Sequence, residues 1–324
     1  MTFPNFITQL FRVFTGVLFI FSGFVKLVDP LGSAYKFEEY FGADVLNLEF
    51  LIPYALPFAI ILIFTELLLG IAILIGYKTK LTLWSLFSIT ALFLFLTWYS
   101  AFYDKVTDCG CFGDAITLSP WATFYKNILF IFLIIWMLKY QRFIQPILNK
   151  IGSQWILFST ITASLYVVYY ALTYLPIIDF RAYAVGKNIR QGMEYKDDGE
   201  IPPVHDFYLE SDSDDLTEAI LDAPKAILIV ANKLENSPKE SWATIIDLYN
   251  KAKKNGYIVY AVSSSGSKLV KETITQNSLP FKILFCDGTT LKTISRANPA
   301  IVVLETATVV QKFSWKKIEM NPLK

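Results

Sequence analysis

Along the first half of the chain, apolar residues run in blocks too continuous for the alternating pattern of a soluble domain. Five such runs stand at residues 11–28, 51–75, 81–102, 121–138 and 155–178. Each approaches or exceeds the roughly 20 apolar residues that a helix needs to cross a bilayer core. The first has no basic segment before it and no small-residue cleavage pattern after it, so it is expected to be a span and not a cleaved leader. Trp84, Trp98, Trp121, Trp136 and Trp155 fall near predicted ends, where amphipathic rings favour the membrane interface.

From about residue 204 the pattern changes. Short apolar stretches at 226–230, 258–262, 282–286, 301–304 and 308–313 read as strands, with helical patterns at 242–254 and 267–276 between them. Strands that alternate with helices and close on a hairpin predict a mixed sheet covered by helices. Residues 179–203 contain Gly186, Gly192, Gly199 and Pro202-Pro203 and read as an extended linker. The expected organisation is an α-helical membrane bundle of about five transmembrane helices (1–178), the linker (179–203), and a C-terminal α/β domain (204–324).

Composition agrees with this division. Of 324 residues 54% are hydrophobic and only 18% charged, too apolar for an ordinary soluble protein. A net charge of +1 gives no reason to expect a nucleic-acid partner. One histidine and three cysteines leave almost no ligands for zinc or haem, so no metal site is expected. The expected partners are the lipid bilayer and a membrane or extracytoplasmic protein.

The basic residues orient the bundle. Lys78 and Lys80 follow the second run, and Lys139, Arg142 and Lys150 follow the fourth. The opposite loops carry Glu38, Glu39, Asp44 and Glu49, then Asp104, Asp108 and Asp114, with Lys36 and Lys105 as their cations. Because positive residues stay cytoplasmic, the N-terminus is predicted inside a plasma (inner) membrane and the C-terminal domain outside it. Arg181, just past the fifth run, goes against this pattern.

One loop concentrates the chemistry: Asp108-Cys109-Gly110-Cys111-Phe112-Gly113-Asp114. The predicted orientation puts Cys109 and Cys111 on the outer face, where disulfides persist. Gly110 can adopt backbone angles closed to other residues, so the chain can fold back and bring the two sulfurs together. A bridge closing so small a ring departs from relaxed geometry and is easier to reduce, as labile and catalytic disulfides are. The alternatives are a small-residue turn whose cysteines only pack, or a fixed structural bridge; the spacing is not the usual C-x-x-C.

Two ionisable residues fall at membrane depth, Glu66 inside the second run and Lys26 near the outer end of the first. Such groups normally face a bundle interior and have a partner. Glu66 is a candidate proton acceptor for chemistry at the outer face. The structural alternative has Glu66 neutral or hydrogen-bonded across helices while Lys26 snorkels outward. Gly16, Gly23 and Gly70 are expected to let helices approach closely. The many phenylalanines read as lipid-facing or core residues in preference to a quinone pocket.

Arg12 with Gly16, Ser22-Gly23 and Lys26, Glu66 and Gly70, then Cys109-Gly110-Cys111-Phe112-Gly113 with Trp121 and Lys126, resemble the DoxX/MauE membrane family over roughly residues 5 to 140. The resemblance implies a small helical bundle with a role beside disulfide formation in exported proteins or quinone-linked sulfur oxidation. On it, Cys109 and Cys111 would be the redox pair. The fifth span and the large C-terminal domain depart from the minimal family pattern.

Residues 204 to 320 resemble a thioredoxin-like domain, with Pro299 where that fold carries a cis-proline. Where active members place C-x-x-C, this chain has Asn232-Lys233-Leu234-Glu235-Asn236-Ser237-Pro238, so thioredoxin chemistry is not expected there. Cys286 reads as a buried structural thiol and His205 as a solvated surface residue.

Two functions follow. In one, the chain is a membrane thiol-disulfide oxidoreductase: Cys109 and Cys111 exchange a disulfide, the outer domain docks a protein partner, and electrons pass to a membrane acceptor such as a quinone. In the other, it is a non-catalytic accessory or scaffold subunit of a membrane complex, with a redox-inactive thioredoxin-like recognition domain.

Overall fold

The computed structural model describes residues 3–106, 108, 110–195, 202–211 and 214–320. Its chain divides into two compact units, 1–171 and 172–324.

Five helices in the first unit are long and apolar enough to span a bilayer: α1 (Phe3–Val28), α3 (Ala55–Ile75, extended at its start by the 3₁₀ turn Glu49–Tyr54), α4 (Thr79–Tyr103), α5 (Pro120–Lys139) and α6 (Lys150–Thr173). Between α1 and α3 lies α2 (Pro30–Phe41), a helix in a stretch that the charge pattern presents only as an acidic loop. Its start is specified locally: Asp29 Oδ1 accepts the Gly32 amide at 3.0 Å, and Pro30 opens the first turn.

α1 shows the division of surfaces expected of a bundle in lipid. Thr8, Arg12, Thr15, Gly16, Phe19, Gly23 and Lys26 are buried, while Phe6, Leu10, Val13, Phe14, Val17, Phe21 and Phe24 are exposed along the opposite stripe. α1 and α3 cross closely through Gly16, Gly23 and Gly70, as expected of small residues in membrane helices. A shared core draws Phe19 from α1, Ile73 from α3, Leu83 and Leu86 from α4, and Phe130, Leu133 and Ile134 from α5. Arg12 closes the opposite end of that crossing. Its guanidinium donates to the Ile73 and Leu74 carbonyls at 2.9 and 2.7 Å, in the last turn of α3 where helical donors run out; Ile73 also accepts the Gly76 amide at 3.2 Å. α6 stays largely exposed, with Trp155, Phe158, Tyr166 and Tyr169 outward.

The second unit is a five-stranded mixed sheet: β1 (Ala226–Val230), β2 (Ile258–Ser263), β3 (Ile283–Phe285), β4 (Ala300–Glu305) and β5 (Thr308–Ser314), in the order β3-β2-β1-β4-β5. β1, β2 and β3 run parallel, while β4 is antiparallel to both β1 and β5. Every residue of β1 is buried, as expected of a central strand covered on both faces. Ile227 and Ile229 face a core built with α9 (Lys239–Lys254) and α10 (Ser267–Asn277). Leu228 and Val230 face the other core, shared with α8 (Thr217–Leu221) and α11 (Gly288–Ile294). The strands and long helices lie close to the predicted stretches. The Asn298–Pro299 bond is cis.

The first residues after α6 also join this unit. Tyr183 and Ile189 are buried in the second core, and Ile189 opens the short helix α7 (Ile189–Met193). Beside them Asp179 accepts from Arg181 Nε at 2.7 Å and from Lys312 Nζ at 2.6 Å. Lys312 also donates to the Tyr183 and Ile294 carbonyls. Burial works to raise the Asp179 carboxyl, but the two cations outweigh it and hold its pKa below the usual value. Burial, reinforced by the Arg181 charge, brings Lys312 down to about 8 against the pull of Asp179. Arg181, the exception to the charge pattern, thus pairs with a carboxylate two residues away that it shares with Lys312.

Candidate functional site at the Cys111 loop

The loop after α4 is anchored before it reaches its cysteines. Val106 is buried against Tyr40 and Val45, and the Tyr99 hydroxyl donates to the Val45 carbonyl at 2.9 Å. Asp108 Oδ1 then accepts the Gly110 amide at 3.2 Å, and Gly113 N donates to the Gly110 carbonyl at 3.1 Å. Both glycines have positive φ, +64° and +50°, which side-chain-bearing residues rarely adopt. Cys109 lies outside the described residues.

Cys111 is half-buried, and its backbone carbonyl is the point of attachment to the bundle. It accepts from Lys26 Nζ at 2.6 Å and from Ser22 Oγ at 2.7 Å, both on α1. The same ammonium lies 2.9 Å from Glu66 Oε2 on α3 and 2.7 Å from Ser22 Oγ. With side chains only 5% and 2% exposed, Lys26 and Glu66 form a buried ion pair whose third partner is the loop backbone. Lys26 therefore does not snorkel: a carboxylate and a carbonyl within reach offset its desolvation better than a long path to the interface. Glu66 is hydrogen-bonded across helices, as the structural alternative expects.

Next to this network, Phe112 is buried against Phe21, with Lys126 Nζ 4.6 Å from its ring centroid. A cavity of about 30 Å³, space for about one water, is lined by Glu66, Cys111, Thr90 and Asn127, among others. The Thr90 hydroxyl is buried with no hydrogen-bond partner among the described residues. Glu66 and Cys111 thus line one small chamber, together with Phe19, Phe93 and Phe130, although they are 45 residues apart in the sequence. The pairing of Lys26 with Glu66 and the role of a backbone carbonyl have no local sequence signature; the only signal is that both charges lie at membrane depth.

This geometry covers the part of the chain that a family comparison recognises. Residues 4–140 match the model of a family described as methylamine utilisation protein MauE. That MauE match takes in α1 to α5 and the Cys111 loop, less than half of the 324 residues. It supports the MauE part of the resemblance read from the motifs. No curated protein and no solved structure matches the chain.

In the second unit, the loop after β1 is held by oxygen and nitrogen groups. The Asn232 carbonyl accepts from Ser263 Oγ and Ser264 Oγ, and Asn298 Nδ2 donates to the Lys233 carbonyl. His205 is exposed, with its Nδ1 3.0 Å from the Pro202 carbonyl. Cys286 is 0% exposed inside the core, and burial, with Asp287 adding to it, pushes its thiol up to about 12. We expect a membrane-impermeant maleimide, added to intact spheroplasts after mild reduction and removal of the reductant, to label the Cys109/Cys111 loop and to leave Cys286 unlabelled. Raising the pH to 9 should not change that, because the folded thiol ionises far higher; denaturation should expose it. Labelling of Cys286 in the folded protein would refute its burial, and failure to label the loop until the membrane is permeabilised would reverse the predicted orientation.

Proposed function

We propose that this chain is an integral membrane thiol-disulfide oxidoreductase acting at the extracytoplasmic face, with Cys109 and Cys111 as the exchanging pair. The observation that carries this reading is the attachment of the cysteine loop to a buried ion pair through the Cys111 carbonyl. Such an anchor holds the backbone at Cys111 in one place, as a loop that must present a sulfur requires.

In the proposed reaction, a sulfur of a reduced partner protein attacks the Cys109–Cys111 disulfide, and one S–S bond breaks as a mixed S–S bond forms. The partner's second thiol then displaces the chain's sulfur, leaving the partner oxidised and both Cys109 and Cys111 as thiols. Glu66, which lines the same chamber as Cys111, is the proton acceptor in this scheme, and Lys26 is a positioning residue. The C-terminal unit, read as a redox-inactive thioredoxin-like module, docks the partner. A buried Cys286 and a thiol-free loop after β1 support a recognition role for it.

A second reading, an accessory subunit without its own chemistry, draws on the same ion pair, since a fully paired Lys26 and Glu66 also serve as a static clamp. Trapping separates the two. One of Cys109→Ser or Cys111→Ser should accumulate a mixed disulfide with a partner on a non-reducing gel, and the double variant should not. If neither single variant traps any species, the redox reading fails and the accessory reading stands.

A further inference from the structure

On the other side of Cys111 the first unit contains a second, much larger cavity of about 300 Å³. It lies among α2, α3 and α4, and the thiol chemistry above makes no use of it. Cys111 and Gly110 contribute to its lining, and its walls include Phe37, Phe41, Phe58 and Leu62. The three phenylalanines form one aromatic cluster, with centroids 5.6 to 6.2 Å apart.

Size, polarity and access define an occupant. An apolar cavity of about 150 Å³ holds benzene, so one of twice that volume takes a chain of about twelve carbons. That is most of one acyl chain and too little room for two. The cations and the Thr97 hydroxyl on the walls are engaged elsewhere: Lys26 pairs with Glu66 at 2.9 Å, Lys36 with Glu39 at 3.0 Å, and Thr97 donates to the Phe93 carbonyl at 2.8 Å. A charged head would lose its hydration there without gaining a partner. Access is from the bilayer. Phe58 on α3 and Leu92 on α4 line the cavity and are 38% and 55% exposed, both on apolar spans. Toward the cysteine loop the way is covered. A Cβ added at Gly110 would lie 2.9 Å from Lys36 Cγ, so the lysine stem rests directly on the loop backbone. A partner's side chain arriving from water meets that stem, whereas a lipid tail enters between the two spans.

We propose that this cavity seats one acyl chain of a membrane phospholipid, drawn from the leaflet next to the cysteine loop. Phe58 and Leu62 belong to the first half of α3 and Leu96 to the second half of α4, the halves nearest that loop. A tail anchored in that leaflet reaches them without its head leaving the interface. The bound chain completes the packing of α2 against α3 and α4 and covers the membrane side of Cys111, whether or not the cysteines cycle.

Photolabelling of the full-length protein in phosphatidylcholine nanodiscs tests the seat, with a phosphatidylcholine that carries a diazirine midway along one acyl chain as the probe. Phe132, exposed on α5, reports ordinary lipid contact, whereas Phe41, 8% exposed, is reached only by a chain inside the cavity. Peptide mapping of wild type should find label at both. Leu62→Trp, which fills the cavity, and Leu92→Trp, which fills its mouth, should each reduce the Phe41 label by about tenfold, as overpacking of the site implies. The Phe132 label should not change. Should Leu62→Trp fail to fold, Leu92→Trp decides alone, because its side chain is largely exposed and its replacement disturbs the bundle little. No label at Phe41 while Phe132 is labelled, or a Phe41 label that survives in every folded variant, overturns the seat. Loss of the Phe41 label when decylubiquinone is added at the same mole fraction as the probe would give the cavity to a ring ligand and overturn the acyl chain as its occupant.

Discussion

Lys26→Met in the full-length protein is expected to lower stability by roughly 3–5 kcal/mol, and Glu66→Leu by a similar amount. Each variant leaves an unpaired charge at a site where the wild-type side chains are 5% and 2% exposed. The Lys26→Met/Glu66→Leu double variant should recover a large part of that loss, because both charges are gone and apolar side chains fill the space. Recovery should stop short of wild type, since Lys26 also donates to the Cys111 carbonyl and Ser22 alone would then hold it. The coupling energy from equilibrium unfolding in mixed micelles checks this. A double variant as unstable as the sum of the two singles would mean that the residues do not act as a pair. The residual difference between double variant and wild type reports how much the loop anchor contributes.

Trapping yields in the same variants would connect that anchor to chemistry. If the carbonyl contact fixes the sulfur in place, the double variant should fold but form less of the mixed disulfide than wild type with the same cysteine substitution. A static clamp would leave no such signature.

What the sequence discloses depends on how far each interaction reaches. The spans are legible because continuous apolar runs need no knowledge of neighbours, and the strands of the second unit because each is a short apolar block bounded by turns. Helix α2 is harder. Tyr35, Phe37, Tyr40 and Phe41 are interleaved with Lys36, Glu38 and Glu39, and read for charge the stretch is an acidic loop. Its helical signal is the Asp29-Pro30 start, followed by Phe37 and Phe41 four residues apart, which meet at 5.7 Å. Missing α2 conceals the large cavity, of which it forms one wall. Lys312 is hidden for a different reason. Within β5 it has no local sign of burial, and its partners are Asp179, Tyr183 and Ile294, brought in from three other segments. At the candidate site, the cysteines, Glu66 and Lys26 can each be picked out individually, but the contact that joins them passes through a backbone carbonyl, which any residue at position 111 would possess.

Gly70→Ala is expected to destabilise the bundle by about 1–3 kcal/mol, as overpacking does, and by more than Gly16→Ala on the facing helix. A methyl at Gly70 would lie 2.9 Å from both the Gly16 carbonyl oxygen and the Ile20 amide nitrogen, which are backbone groups of α1 and cannot turn aside. A methyl at Gly16 meets mainly the Leu74 side chain, at 2.5 Å, with the nearest backbone atom at 3.1 Å; a leucine can change rotamer where a backbone cannot. Alanine's better helix propensity, worth about 1 kcal/mol over glycine, acts equally at both positions and so does not alter their order. Gly70 lies one helical turn beyond Glu66 on α3, so separating α3 from α1 there also pulls Glu66 away from Lys26. Gly70→Ala should therefore reduce partner trapping as well as thermal stability, whereas Gly16→Ala should affect trapping less. Equal losses at the two glycines would show that backbone contact between α1 and α3 does not control the position of the cysteine loop.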